Sequence, residues 1–298
     1  MSFKGYAVSV RGASHEEVGG VCQDSARVYI SEKLAVAALS DGHGSEKHFR
    51  SAAGSEMATR VAIRSICDFA ERNGGLDRLF AAEEAAVPAG GFAMRMPLAL
   101  SGTTTGSKAG SPENAARRIA ANIICGWNNE INTHLNYSPL NDSEREICSK
   151  HNGIANEIMY GATLIVAAMT PTCCFGLQIG DGSFVADEGS GCFSPMPEDA
   201  KLMGNLTTSL CDSDAIGSFR WFFREGCFDG IMLSSDGLIN SFRCEEDFLS
   251  FGGRVLCAVE DERTSHLPEH LRTRSHNGSR DDISIAAIIK EQENTRKD

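Results

Sequence analysis

The sequence predicts an α+β fold in which two antiparallel sheets pack face to face and helices cover their outer sides. Strand-like and helix-like segments each come in runs, the ordering of α+β chains and not of alternating βαβ units. Leu34–Leu39 is apolar at every position and Thr163–Met169 nearly so, so the sheets need cover on both faces. Carboxylate-bearing turns punctuate such strands from one end of the 298 residues to the other, which predicts one domain over residues 1–290.

Tyr6–Val10, Ala26–Ile30 and Leu34–Ser40 read as three early strands joined by glycine-rich connections. Phe49, Ala53, Met57 and Val61, followed by Ile66, Phe69 and Ala70, recur at helical spacing and predict a long helix facing a sheet, ended by Asn73-Gly74-Gly75. A short helix over Leu76–Ala86 gives way to a Gly, Ala, Ser and Thr-rich segment, 87–110, expected as a variable loop. Ser111-Pro112-Glu113 combines a cap with a proline in the first turn, and Ile119, Ile123, Trp127, Ile131 and Leu135 supply the buried stripe of a second long helix. Tyr137–Met159 reads as irregular, with one helical turn around Ser143–Cys148. Thr163–Met169 and Cys173–Ile179, joined by Thr170-Pro171-Thr172, predict a hairpin buried on both sides. Strand signals then alternate with loops from Ser183 to Cys227. Glu245–Glu260 and Leu267–Ser275 predict helices before a final strand at Ile283–Ile289, and 291–298 is a charged tail.

Four turns carry the chemistry. Leu34–Leu39 runs through Ser40 into Asp41-Gly42-His43-Gly44, Gly176–Gly180 into Asp181-Gly182, and Gly230–Ser235 into Asp236-Gly237, while Asp281-Asp282 leads into the last strand. One Asp-Gly is an ordinary turn dipeptide. Several carboxylates gathered at strand ends would repel one another without a cation, and an oxygen-only donor set favours Mg or Mn over Zn.

The series Gln23-Asp24, Asp41-Gly42-His43-Gly44, Gly161-Ala162-Thr163, Gly180-Asp181-Gly182, Ser235-Asp236-Gly237, Arg280-Asp281-Asp282 resembles the metal-dependent (PPM, type 2C) serine/threonine protein phosphatases over about residues 5 to 290. Gly12-Ala13-Ser14-His15, Cys22-Gln23-Asp24-Ser25 and Phe49-Arg50-Ser51 look most like a bacterial branch. The resemblance implies a four-layer αββα sandwich, a flap at about 189–220, and hydrolysis of phosphoserine or phosphothreonine by a water activated between two Mn or Mg ions. It implies that Asp41 bridges both ions, the Gly42 carbonyl serves one, Asp236 and Asp281 serve the other, and Asp181 with Asp236 matches a third, weaker position. Asp24 either ligates or orients metal-bound water. Asp282 stands where the family typically has Asn, so Asp282→Asn is expected to be tolerated. Cys22 replaces a frequent Asn and Ala162 a frequent Ser or Thr. The family's phosphate-binding Arg has no counterpart, since Gly19 and Gly20 fill its neighbourhood; Arg11, His15, Arg50 and His43 are the candidate phosphate contacts, with His43 also a candidate general acid.

Two rivals come from the same fold: a catalytically weak binding module and a small-phosphomonoester hydrolase. A third, the cysteine-phosphatase pattern Cys257-x5-Arg263, fails because Glu260, Asp261 and Glu262 would repel a phosphate; Cys257 reads as helix core. A net charge of -12 argues against nucleic acid or an anionic membrane as the main partner. No apolar run reaches about 18 residues, and Met1–Tyr6 lacks a signal-peptide core. The expectation is a cytoplasmic monomer acting on phosphoproteins, with a Ser/Thr kinase as counterpart. Eleven cysteines without a Cys-x-x-Cys pair suggest neither a full disulfide framework nor a zinc ribbon, and most are expected to be buried.

Overall fold

The computed structural model describes residues 2–80, 112–198 and 207–291. In chain order its strands are β1 (Phe3–Val10), β2 (Ser25–Ile30), β3 (Ala35–Ser40), β4 (Leu164–Met169), β5 (Cys173–Ile179), β6 (Ser183–Asp187), β7 (Cys192–Phe193), β8 (Arg220–Glu225), β9 (Gly230–Ser234) and β10 (Ile283–Lys290). Among the described residues these form two antiparallel five-stranded sheets, in the orders β1-β10-β9-β6-β7 and β2-β3-β4-β5-β8.

Strand alternation explains the layering. In β3, Val36 and Ala38 face the helices Ser51–Asn73 and Pro112–Tyr137, whereas Ala35, Ala37 and Leu39 face the other sheet. β4 divides the same way, with Leu164, Val166 and Ala168 outward and Ile165, Ala167 and Met169 inward. In β10, Ala286 and Ile288 point into the sandwich while Ile283, Ile285, Ala287 and Ile289 meet Phe248, Val255 and Leu271 of the helices Glu245–Glu260 and Leu267–Asn277. Three apolar layers separate four structural layers, because a period of two places successive side chains on opposite faces. The expected αββα sandwich is the fold observed.

The long helices lie close to their expected bounds. Gly74 closes the first with a left-handed φ of 72°, the conformation glycine adopts without a Cβ penalty. The short helix is described over Leu76–Phe80; its expected remainder, the 87–110 loop, residues 199–206 of the flap and nearly all of the tail lie outside the described residues. The segment expected to be irregular holds a full helix, Asp142–Lys150, started by a capping box in which Asn141 and Glu144 satisfy each other's backbone N–H groups. No described helix is long and apolar enough to cross a membrane.

Arg50 secures this segment. Its Nε and Nη2 donate to the two Glu144 carboxylate oxygens, both at 2.7 Å, and the guanidinium also reaches the Ser138 carbonyl and the Tyr160 hydroxyl. The Arg50 and Glu144 side chains are 8% and 16% exposed. Arg50→Ala leaves the largely buried Glu144 without its counter-ion, with only the Asn141 N–H still bound to it, so urea unfolding should show a loss of about 3 kcal/mol; a change under ~0.5 kcal/mol would show that the ion pair contributes nothing net.

Candidate active site

Antiparallel register delivers the motifs to one edge of the sandwich. Ser25 pairs with Ser40, Leu39 with Ile165 and Leu164 with Ile179, so the entries to β2 and β4 and the exits of β3 and β5 coincide. In the second sheet Ser234 pairs with both Ile285 and Ser183, which brings the exit of β9 beside the entries to β10 and β6. Gly180-Asp181-Gly182 crosses between the sheets at this edge.

Here lies a cleft of about 190 Å³ lined by Asp41, Gly42, Asp181, Asp236 and Asp281, with His15, His43 and Thr163 among its other walls. Thr163 fixes the first motif: its Oγ1 accepts from the Asp41 N–H at 3.1 Å and its own N–H donates to the Asp41 carbonyl at 2.8 Å. Gly42 is glycine because a Cβ would approach the Gln23 carbonyl oxygen to 2.7 Å.

The electrostatics of the cleft are those of crowded carboxylates. Burial, followed by the charges of Asp24, Asp236 and Asp281, holds the Asp41 carboxyl well above the usual range. Burial, then Asp181 and Asp281, raises Asp236, and Asp281 is raised mainly by burial. Asp24, behind the cleft and 8% exposed, is raised to about 7 by burial and then by Asp282. Ser235, Ser284 and Asp41 temper that shift, yet neither Asp24 carboxyl oxygen meets hydrogen-bond geometry with any group. Two buried, unpaired carboxylate oxygens are costly unless a cation or a donor completes them. An all-oxygen set of this kind suits a hard divalent cation. Among the described residues no three His, Cys, Asp or Glu side chains meet in a finished coordination shell; the carboxylates share a space without converging on one point.

The Protein phosphatase 2C family profile matches residues 11–273. The chain belongs to that family. This phosphatase is similar in fold to the serine/threonine phosphatase PstP/Ppp of Mycobacterium tuberculosis, at 14% identity and a TM-score of 0.53, covering 98% of this chain and 100% of the other. The catalytic domain of PstP in complex with two manganese ions gives 15%, 0.52, 98% and 99%. Stp1 of Staphylococcus aureus gives 15%, 0.54, 98% and 96%. No curated protein sequence matches it. By family it is a metal-dependent protein serine/threonine phosphatase.

The phosphate candidates separate. Arg50 is consumed by Glu144 and the backbone of residues 138–139, away from the cleft. Arg11 donates to the Gly20 carbonyl at 3.1 Å and lies outside the cleft lining. Sequence cannot distinguish an arginine with internal partners from one facing a ligand. His43 does line the cleft, but burial, followed by the neighbouring His48, lowers its pKa to about 4, and its Nε2 lies 2.7 Å from the Ser209 hydroxyl. The ring therefore offers a phosphoryl group no positive charge, and its Nε2 is engaged. His15 remains at the cleft with its Nδ1 2.9 Å from Asp282.

Asp282 is the group the sequence undervalued. Its carboxylate is 3% exposed and accepts from the Gly12 and Gln23 backbone N–H groups, each at 2.6 Å, as well as facing His15. Asp281 lines the cleft and Asp282 does not, as strand alternation requires, and the N–H donors on both Asp282 oxygens weigh against the expected tolerance of Asp282→Asn, because an amide cannot accept at both oxygen positions.

The cysteines also differ from expectation. Cys173 and Cys174 are buried, while Cys125, Cys244 and Cys257 are exposed and the other six are intermediate; Cys257 faces outward from its helix, beside Cys192 in a shallow groove. Cys22, next to the cleft-lining Gln23, has its thiol pushed up by burial and by Asp24 and Asp282, which suppresses the nucleophilic thiolate. Alkylation of the native protein should therefore leave most phosphatase activity intact; stoichiometric inactivation by labelling Cys22 alone would contradict this.

Proposed function

We propose that the cleft hydrolyses phosphoserine and phosphothreonine in proteins with two divalent cations, Mn or Mg, held by Asp41, the Gly42 carbonyl, Asp236 and Asp281, and with a weaker third position at Asp181 and Asp236. The observation that carries this is the set of carboxylates that raise one another at the edge of the sandwich, backed by the unpaired oxygens of Asp24. The two manganese ions of the PstP catalytic domain support the ion count. Bound there, the cations would supply positive charge that acidifies water and neutralises phosphoryl oxygens.

The chain's own groups do the rest. Thr163 holds the Asp41 backbone in place from both sides, and the bulk of Gly42 is minimal where its carbonyl must approach a ligand. Asp24 stands behind Asp41, where it either completes the coordination or orients water. His15 supplies the phosphate contact that the missing arginine would otherwise make. Substrates are phosphoproteins, which requires a Ser/Thr kinase upstream, and the acidic chain without a described membrane helix fits a cytoplasmic setting.

The test is phosphate release from a phosphothreonine peptide and from a small phosphate ester, each with and without Mn. Mn-dependent release from the peptide is expected. Preference for the small ester would replace the substrate assignment, and inertness toward both would favour a binding module.

A further inference from the structure

Asp282 joins three separate points of the chain. Oδ1 accepts from the Gly12 N–H and faces His15 Nδ1, and Oδ2 accepts from the Gln23 N–H. Gly12 must be glycine, since a side chain there would run into the backbone of Asp281 and Asp282. The carboxylate thus anchors the exit of β1, the short helix Ala13–Glu17 and the segment that carries Asp24 into β2.

The His15 side chain is 22% exposed and lines the cleft. With Nδ1 committed to Asp282, Nε2 is the ring nitrogen left for a cleft occupant. Neither Arg nor Lys lines the cleft among the described residues, and His43 has its Nε2 taken by Ser209.

Resting on the phosphatase reading, we propose that Asp282 is a positioning residue: it fixes the tautomer and orientation of His15 so that Nε2 contacts the phosphoryl group of the substrate. A carboxylate behind an imidazole sets which nitrogen carries the proton and which way the other one faces. Asp282→Asn cannot reproduce this. An amide has one acceptor oxygen, and its NH2 would be set against either the Gln23 N–H or the donors on the opposite side.

The experiment measures kcat and KM separately for phosphothreonine-peptide hydrolysis at saturating Mn, together with the inhibition constant of inorganic phosphate. The proteins are wild type, His15→Gln, Asp282→Asn and the double variant. Each single variant should raise KM and the phosphate inhibition constant by about 10- to 100-fold, with a smaller change in kcat, and the double variant should be no worse than the worse single. Additive effects, or losses confined to kcat, overturn the proposal. Should Asp282→Asn fail to fold, His15→Gln alone decides: unchanged KM and unchanged phosphate inhibition overturn it. A wild type inert toward the peptide would remove the phosphatase reading and this proposal with it, whereas an active wild type with an indifferent His15→Gln removes the proposal alone.

Discussion

Asp41→Asn and Asp236→Asn should each cost about 10³-fold or more in turnover while the metal-free protein stays folded. Both side chains face the cleft from opposite sheets, so either substitution removes a negative charge from the cation site without disturbing the layers behind it. Loss of several kcal/mol of charge stabilisation corresponds to about that factor, at ~1.4 kcal/mol per tenfold. The same substitution relieves repulsion, because Asp41 is raised in part by Asp24, Asp236 and Asp281. Metal-free melting temperatures should therefore hold or rise. Near-normal turnover of either variant at saturating Mn would show that the ligand assignment is wrong; a large fall in metal-free stability would show that these carboxylates serve the fold instead of the site.

Removing the metal should abolish turnover, and it should also expose an unusual dependence of stability on pH. In the metal-free protein Asp24, Asp41, Asp236 and Asp281 all have raised pKa values. A carboxyl raised on folding contributes stability that is present below its unfolded value and lost as pH climbs through its folded value. For Asp24 that window runs from 3.8 to about 7. His43 acts in the opposite sense, since its value falls from 6.5 to about 4 and its contribution is lost as pH drops through that range. Four carboxyls outweigh one imidazole. Urea midpoints of the chelated protein should accordingly be higher at pH 5.5 than at pH 8. Mn should narrow the gap by stabilising the protein most at the higher pH, because protons and cations compete for the same oxygens. A chelated protein that retains full activity would defeat the metal requirement, and a midpoint that rises monotonically toward pH 8 would defeat the electrostatic account.

The sequence alone determined the layers and the edge on which the chemistry sits. Periods of two and 3.6 set which faces are apolar, and β3, β4, β5 and β10 carry so little polarity that only a buried sandwich accommodates them. Asp-Gly turns at strand exits are local features, which is why Asp41, Asp181 and Asp236 could be picked out and then found on one cleft. The helix at Asp142–Lys150 was underestimated because it is mostly polar and buries no residue fully, and its stability comes from a capping box and from Arg50 across the fold. Tertiary structure decided everything that depended on a partner remote in sequence. Arg50 and Arg11 carry the positive charge a phosphate contact needs, and only the structure shows that Arg50 is paired with Glu144 and that Arg11 lies outside the cleft lining. Asp282 is 270 residues from Gly12 and 267 from His15, so no local pattern reveals what it binds. Alternation assigned one of the pair to the cleft, and the position of three N–H donors in space showed what the other was for.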